Sequence, residues 1–371
     1  MVPPAWETSM RRSGSFGWVL AACLLAGAAA GCGGPALAPM PGVAPPLSAT
    51  AEPPAPRPGP LVLKWKKVAT GIPAANPALA ICGGKLYFLG GATDNNRDQN
   101  VLSDAIWVFD PATGAFTRKK ARLPYGMEGC WHSPAISVEG LVYRGPSMGP
   151  TINGGAGLHN GLVEYDPRKD EAREVAAYPE QPRIWNPRLV AGIGVKPVVY
   201  LAGGWNGGTV GGIYMYEPGQ EVLKCLPADL GEAGNVLAST IDAGGNLLLF
   251  GAWNNVVVGK VHVFNPGTEK LQDLGDILPQ ELRKPKGDIF VAWTDAGGRV
   301  MVGDMAQGVF FEFDTAGRRF TRADLELPPF SEGFERGGLI FDPLGKTYYV
   351  TESRWDGSAW QTNLWIGRLE R

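Results

Sequence analysis

From about residue 61 onward, short apolar runs alternate with polar segments rich in Gly and Pro. Leu86-Tyr87-Phe88-Leu89, Val199-Tyr200-Leu201-Ala202 and Leu247-Leu248-Leu249-Phe250 are too short for helices and rich in aromatic and aliphatic side chains. They read as strands buried on both faces. Each is followed by glycine (Gly90-Gly91, Gly203-Gly204, Gly251), which permits a backbone path closed to other residues. After a polar loop comes a second strand ending in an acidic or amide residue and proline. Examples are Ile106-Trp107-Val108-Phe109-Asp110-Pro111, Tyr214-Met215-Tyr216-Glu217-Pro218 and Val263-Phe264-Asn265-Pro266. Gly114, Gly219 and Gly267 lie just beyond, which predicts a tight turn into one more strand.

Weaker copies run from Leu141 to Pro167 and from Val300 to Asp314, and a degenerate one from Thr347 to Ile366 lacks the glycines. Taking Leu86, Leu141, Val198, Leu247, Arg299 and Thr347 as markers, the spacings are 55, 57, 49, 52 and 48. A period near 50 with this order resembles the kelch repeat, the propeller fold of the galactose oxidase central domain. The resemblance implies an all-β, six-bladed kelch-type propeller over residues 61–371. The last repeat supplies three strands and stops, so Leu61–Val68, with Trp65 where kelch outer strands favour Trp, is expected to close it as the N-terminal outer strand of the last blade. Pairing the termini in one blade removes exposed edges.

Arg11 and Arg12 precede an apolar run from Phe16 to Ala30 that ends Ala29-Ala30-Gly31-Cys32. That is the grammar of a secretory signal, residues 1–32. The ending is similar to the lipobox of bacterial lipoproteins, which implies lipidation at Cys32, and Gly33 in place of Asp implies the outer membrane. Without lipidation the chain is expected to be secreted. Residues 33–60 carry ten prolines and read as a tether.

Charge narrows the partners. Lys+Arg 34 against Asp+Glu 36 leaves a net charge of -2, against a broad footprint for nucleic acid. Contact with the membrane is expected through the anchor only, and the propeller as a monomer. With three His and no galactose-oxidase-like set of two His, two Tyr and a Cys, no metal and no cofactor are expected. Beyond the signal, Cys82, Cys130 and Cys225 form an odd set and read as buried free thiols.

Kelch-type propellers gather the loops entering the inner strands, and those after the second strands, on one face. A short polar residue recurs before each predicted inner strand: Asn76, His132, Asn186, Asn235 and Asp288, with Arg336 as the sixth counterpart. Such residues either face a ligand or tie the strand start to nearby backbone. Trp131 and Trp185 stand beside two of them. Trp205-Asn206, Trp253-Asn254 and Trp355-Asp356 recur after second strands. An indole beside an amide or carboxylate suits a sugar face and its hydroxyls, and equally a protein interface. Packing between blades is the plainer alternative for any one of them. The reading favours a non-catalytic module binding an envelope protein or a glycan. The alternative is a periplasmic sugar mutarotase of the sialic acid type, which needs a carboxylate and a cation at the mouth; Glu128, Glu232, Glu335, Arg183 and Arg336 are its candidates. The segment Pro146–His159 reads as a flap over the mouth or as filler.

Overall fold

The chain divides into two units, Met1–Arg57 and Pro58–Arg371. The computed structural model describes residues 63–93, 102–127, 135–150, 156–159, 161–177, 187–192, 197–204, 211–253, 256–283, 290–295 and 297–369, all in the second unit. The signal, Cys32, the tether and Cys130 lie outside the described residues.

These residues form six four-stranded antiparallel sheets with two short 3-10 turns, and strand β1 (Leu63–Ile72) belongs to the last sheet. Blade 1 holds β2 (Ala78–Cys82), β3 (Lys85–Leu89), β4 (Ala105–Asp110) and β5 (Ala115–Arg122). Blade 2 holds β6 (Ala135–Val138), β7 (Leu141–Arg144), β10 (Gly161–Asp166) and β11 (Glu171–Ala177). Between its strands lies a separate hairpin, β8 (Ser147–Pro150) with β9 (Ala156–His159), in the segment expected to be flap or filler. Blade 3 is β12 (Arg188–Gly192), β13 (Val198–Ala202), β14 (Gly212–Tyr216) and β15 (Leu223–Asp229). Blade 4 is β16 (Val236–Ile241), β17 (Leu247–Trp253), β18 (Val257–Asn265) and β19 (Lys270–Asp276). Blade 5 is β20 (Phe290–Thr294), β21 (Val300–Asp304), β22 (Val309–Asp314) and β23 (Arg319–Ala323). Blade 6 is β24 (Glu335–Asp342), β25 (Thr347–Trp355) and β26 (Trp360–Leu369), with β1 paired antiparallel to β26.

The first strands touch in the order β2, β6, β12, β16, β20, β24, and β24 touches β2 again. This is a closed, six-bladed, all-β propeller. Its core is divided accordingly. Six hydrophobic clusters each draw on two consecutive blades. Ring pairs bridge five of these seams: Tyr87–Tyr165, Tyr143–Tyr216, Tyr200–Phe264, Phe250–Phe313 and Trp293–Tyr348. The second strands are buried on both sides because each is sandwiched between two seams.

The glycines after the second strands serve contact between blades. Gly91 donates its N–H to Met127 O at 3.0 Å and Gly204 donates to Gly234 O at 2.8 Å, both carbonyls preceding the next blade's entry. Gly203 has φ +63, and a Cβ there would lie 1.6 Å from Gly234 O. Both conformation and approach demand glycine. The hairpins into the outer strands share another device. Asp110, Asp166, Asn265 and Asp314 accept from backbone N–H groups inside their turns. The residue four places on has positive φ: Gly114 at 73, Asp170 at 56, Glu269 at 52 and Arg318 at 52. In the fourth repeat the left-handed position is Glu269, two places after Gly267.

Blade 6 lacks the glycines, and polar side chains take their place. Thr351, Glu352 and Ser353 on β25 are fully buried. Ser353 Oγ accepts from Asn76 N–H at 3.2 Å, and Thr362 Oγ1 donates to Ala74 O at 2.6 Å, joining blade 6 to the entry of blade 1. Glu352 meets Lys67 Nζ of β1 at 2.9 Å, Ser331 N–H and Oγ at 2.9 Å each, and Asn363 Nδ2 at 2.9 Å. Lys67 also stands over the rings of Phe334 and Trp365. Trp65 Nε1 donates to Glu326 O on the blade 5 side. Of the cysteines, Cys82 is a buried free thiol as expected, whereas Cys225 is free but exposed, because it falls on the solvent side of outer strand β15.

Burial pushes the Glu352 carboxyl up, but the donors from Ser331, Lys67 and Asn363 outweigh it and hold it below the ordinary value of 4.5. A depressed carboxyl stabilises the fold fully above its unfolded value and loses that contribution as pH falls through the folded one. Glu352→Gln is expected to cost about 2 kcal/mol at neutral pH. It should also flatten the loss of stability that the wild type shows below about pH 4.5, as read by urea unfolding against pH. The left-handed turn residues give the opposite sign. Arg318→Gly and Lys346→Gly, at φ 52 and 48, should each stabilise by up to about 1 kcal/mol, seen as a raised urea midpoint.

Candidate functional site

The first strands line a central channel with a cavity of about 570 Å³. Its walls come from every blade: Leu79, Ile136, Leu189, Ala238, Trp293 and Leu339 among them. The polar groups are few. Arg188 is buried near the entry of blade 3 and donates from Nε to Val236 O of blade 4 at 3.0 Å. Thr240 and Thr294 meet at 3.3 Å deeper in the wall. At the far end Asp242 and Asp295 cap their own turns: Asp242 accepts from Gly244 and Asn246 N–H, Asp295 from Gly297 and Arg299 N–H. The channel is thus a largely apolar hollow with bonded polar groups. A second hollow of about 660 Å³ lies elsewhere, between the outer strands of blades 3 and 4, around Asp229, Lys260, His262 and Asp273. Burial pushes the His262 imidazole down, against the pull of Asp273 at 3.8 Å, so it is a neutral packing group in that wall.

The expected site residues separate into three groups. Asn76 and Arg336 are built into the ring. Asn76 is 4% exposed, in the left-handed region at φ 48, with its N–H on Ser353 Oγ. Arg336 is half-buried, donates from Nη1 to Met305 O at 2.8 Å and Ala306 O at 3.0 Å of blade 5, and stacks 5.0 Å from the Phe330 ring centre. Asn235 contributes its carbonyl to Trp253 N–H at 2.9 Å. These contacts are those of residues that fasten strand entries to the neighbouring backbone.

A second group sits on the loops after the second strands. Trp253 ends β17 and is 37% exposed, with Val256 on the same loop 65% exposed. Trp355 ends β25, half-buried, its ring 5.7 Å from that of buried Trp360 at 65°. Asp356 is a turn cap: Oδ1 accepts from Ser358 N–H and Oγ and from Ala359 N–H, and Oδ2 from Gln361 Nε2. Those donors hold its carboxyl down to about 2. The third group, Trp131, His132, Trp185, Asn186, Trp205, Asn206, Asn254 and Asp288, lies outside the described residues, as do Glu128 and Arg183.

Glu335 is exposed and adjoins Arg336 on β24, but neighbours on a strand point to opposite faces. Glu232 is exposed in the short turn before β16. Among the described residues no group of three His, Cys, Asp or Glu side chains is placed to hold a metal ion. Arg188 is the channel residue that sequence reading missed. It opens β12, two places after Asn186, and a charged residue at the first position of an inner strand was the available signal.

No family model and no curated protein sequence matches the chain. Among solved structures, that of YjhT is similar, with a TM-score of 0.57 at 12% identity, covering 80% of this chain and 96% of that one. At that identity the likeness concerns the propeller fold.

The two indoles at the loop ends make contrasting stability predictions. Trp253→Ala removes an exposed ring and should change unfolding free energy by less than about 0.5 kcal/mol. Trp360→Ala opens the packing under Trp355 and should cost about 3 kcal/mol. Urea unfolding of both variants checks the pair.

Proposed function

We propose that this chain is a non-catalytic binding module of the cell envelope, held through a lipid on Cys32, which takes a glycan or a protein partner on the face bearing Trp253 and Trp355. The observation that carries this reading is the solvent exposure of Trp253 together with Val256 at one loop tip. An indole left 37% exposed presents apolar surface to solvent, and such rings concentrate contact energy when a partner covers them. The reading also agrees with the state of the charges. Arg188 and Arg336 hold backbone carbonyls of adjacent blades, and Asp356 caps its own turn.

A second reading is the sugar mutarotase. It is favoured by the six-bladed ring, a fold the chain shares with YjhT over 96% of that chain. Proton NMR on the full chain with a panel of reducing sugars, sialic acid included, separates the two. The module reading expects no acceleration of anomer exchange. It further expects either saturation transfer to a sugar, weakened by Trp253→Ala, or an envelope protein cross-linked through that face. Accelerated exchange, abolished by Glu335→Gln or Arg336→Gln, would overturn it in favour of the enzyme.

A further inference from the structure

Outer strands β1 and β5 border the seam between blades 6 and 1, and their register fixes which side chains face it. Lys64 pairs with Arg368, and Lys66 with Ile366. Directly paired residues share a face. Ile366 packs on the seam cluster of Phe88, Phe109 and Tyr349, so Lys64, Lys66 and Arg368 lie on that side. On the other wall Phe116 pairs with Phe109 and Arg118 with Trp107; Phe116 and Trp107 pack on the same cluster. The Arg118 guanidinium stands 5.9 Å over the Trp107 ring. Lys119 turns the other way, to Asp170 of blade 2 at 3.8 Å, and Lys120 follows it on the same outer strand.

All five cations, Lys64, Lys66, Arg368, Arg118 and Lys120, are exposed. Neighbouring cations are neutralised: Lys67 by Glu352, Lys85 by Asp110, Lys119 by Asp170, Arg122 by Asp104. Among the described residues, none of the five has a carboxylate within ion-pair distance. Of the carboxylates on this side, Asp110 is taken by Lys85, and Asp342 caps the turn at Leu344 N–H. In a chain of net charge -2 this is a local excess. Lysine on an edge strand guards against pairing with other chains, which accounts for exposed lysines on β1. It does not account for two strands aiming unpaired cations at one seam while the cations between them are paired.

We infer that the outer groove between blades 6 and 1 docks an extended acidic segment of a partner protein, on a surface distinct from the tryptophan-bearing face. Cations two apart on a strand repeat at about 7 Å, which is the repeat of alternate carboxylates on an extended peptide. The charges stand on the two outer strands that border the seam, beside the half-buried rings of Phe116 and Trp107.

The probe is a fluorescein-labelled peptide of alternating Glu and Ser, followed by anisotropy with the full chain. Expected is binding at low ionic strength that weakens at least about tenfold in high salt. Lys64→Glu combined with Arg118→Glu should abolish it with an unchanged melting temperature, whereas Lys224→Glu on β15 of blade 3 should leave it intact. A lack of binding at low salt, equal loss in the Lys224→Glu variant, or preference for phosphatidylglycerol vesicles with the same variant sensitivity would each overturn the proposal. None of these readouts involves sugars or Trp253, so its failure is separable from failure of the binding-module reading.

Discussion

Closing a ring from one chain leaves one seam whose two sides are far apart in sequence, and here that seam is bound by buried polar side chains. In blades 1 and 3 a glycine backbone N–H reaches the carbonyl before the next entry strand, a contact that works because glycine removes the Cβ from a crowded approach. Blade 6 cannot repeat this with Thr351, Glu352 and Ser353, so hydroxyls do the joining. Gly337 is its complement: a Cβ there would lie 2.2 Å from Thr351 Oγ1 and 2.8 Å from Asn76 Oδ1. Burying Glu352 is costly unless every lone pair is answered, and its partners come from β1, β26 and the loop before β24. The carboxylate is therefore satisfied only when the N-terminal strand is in place. That couples the first strand of the propeller to its last blade chemically as well as through the ladder.

The same economy of contacts shapes the face where the entry strands begin. Arg188 reaches from blade 3 to blade 4 and Arg336 from blade 6 to blade 5, each on a main-chain carbonyl. A guanidinium used this way orients a neighbouring loop and leaves less of its donor fork for a ligand's carboxylate. Aromatic exposure is thereby the more informative feature of this face. Trp355 is backed by Trp360 and shares its area with the core, whereas Trp253 and Val256 remain 37% and 65% exposed.

Most of the fold was legible in the chain because its signals are local and repeated. The six second strands begin within a residue or so of the markers Leu86, Leu141, Val198, Leu247, Arg299 and Thr347. What escaped was decided over long range or by turn geometry. Gly267 marked the turn, but which residue turns left-handed is set by the Asx-type cap four places earlier, and that residue is Glu269. Asn76 was legible as a polar residue before an inner strand. Its burial depends on Ser353, which is 277 positions away. Cys225 was read as one of three buried free thiols, yet the outer strands are covered on one side only and it lies on the other.

The outer rim shows how a closed ring still keeps open edges. Closure protects the first strands completely, but each blade ends in a strand whose far side meets water, and Lys, Arg and acidic residues populate those strands. Around most of the rim these charges answer one another within or between blades: Lys224 with Glu269, Lys260 with Asp273, Arg173 with Glu164. Neutralised pairs discourage edge pairing while leaving little field for a charged partner to sense. Among the described residues the answer is missing at the seam between blades 6 and 1, since β1 brings lysines to a neighbour, β5, that is itself basic. Repulsion between Lys64 and Arg368, directly paired across the ladder, is tolerated there because both heads reach solvent. A closing strand chosen only for stability would place an acid at one of those positions, and this sequence does not.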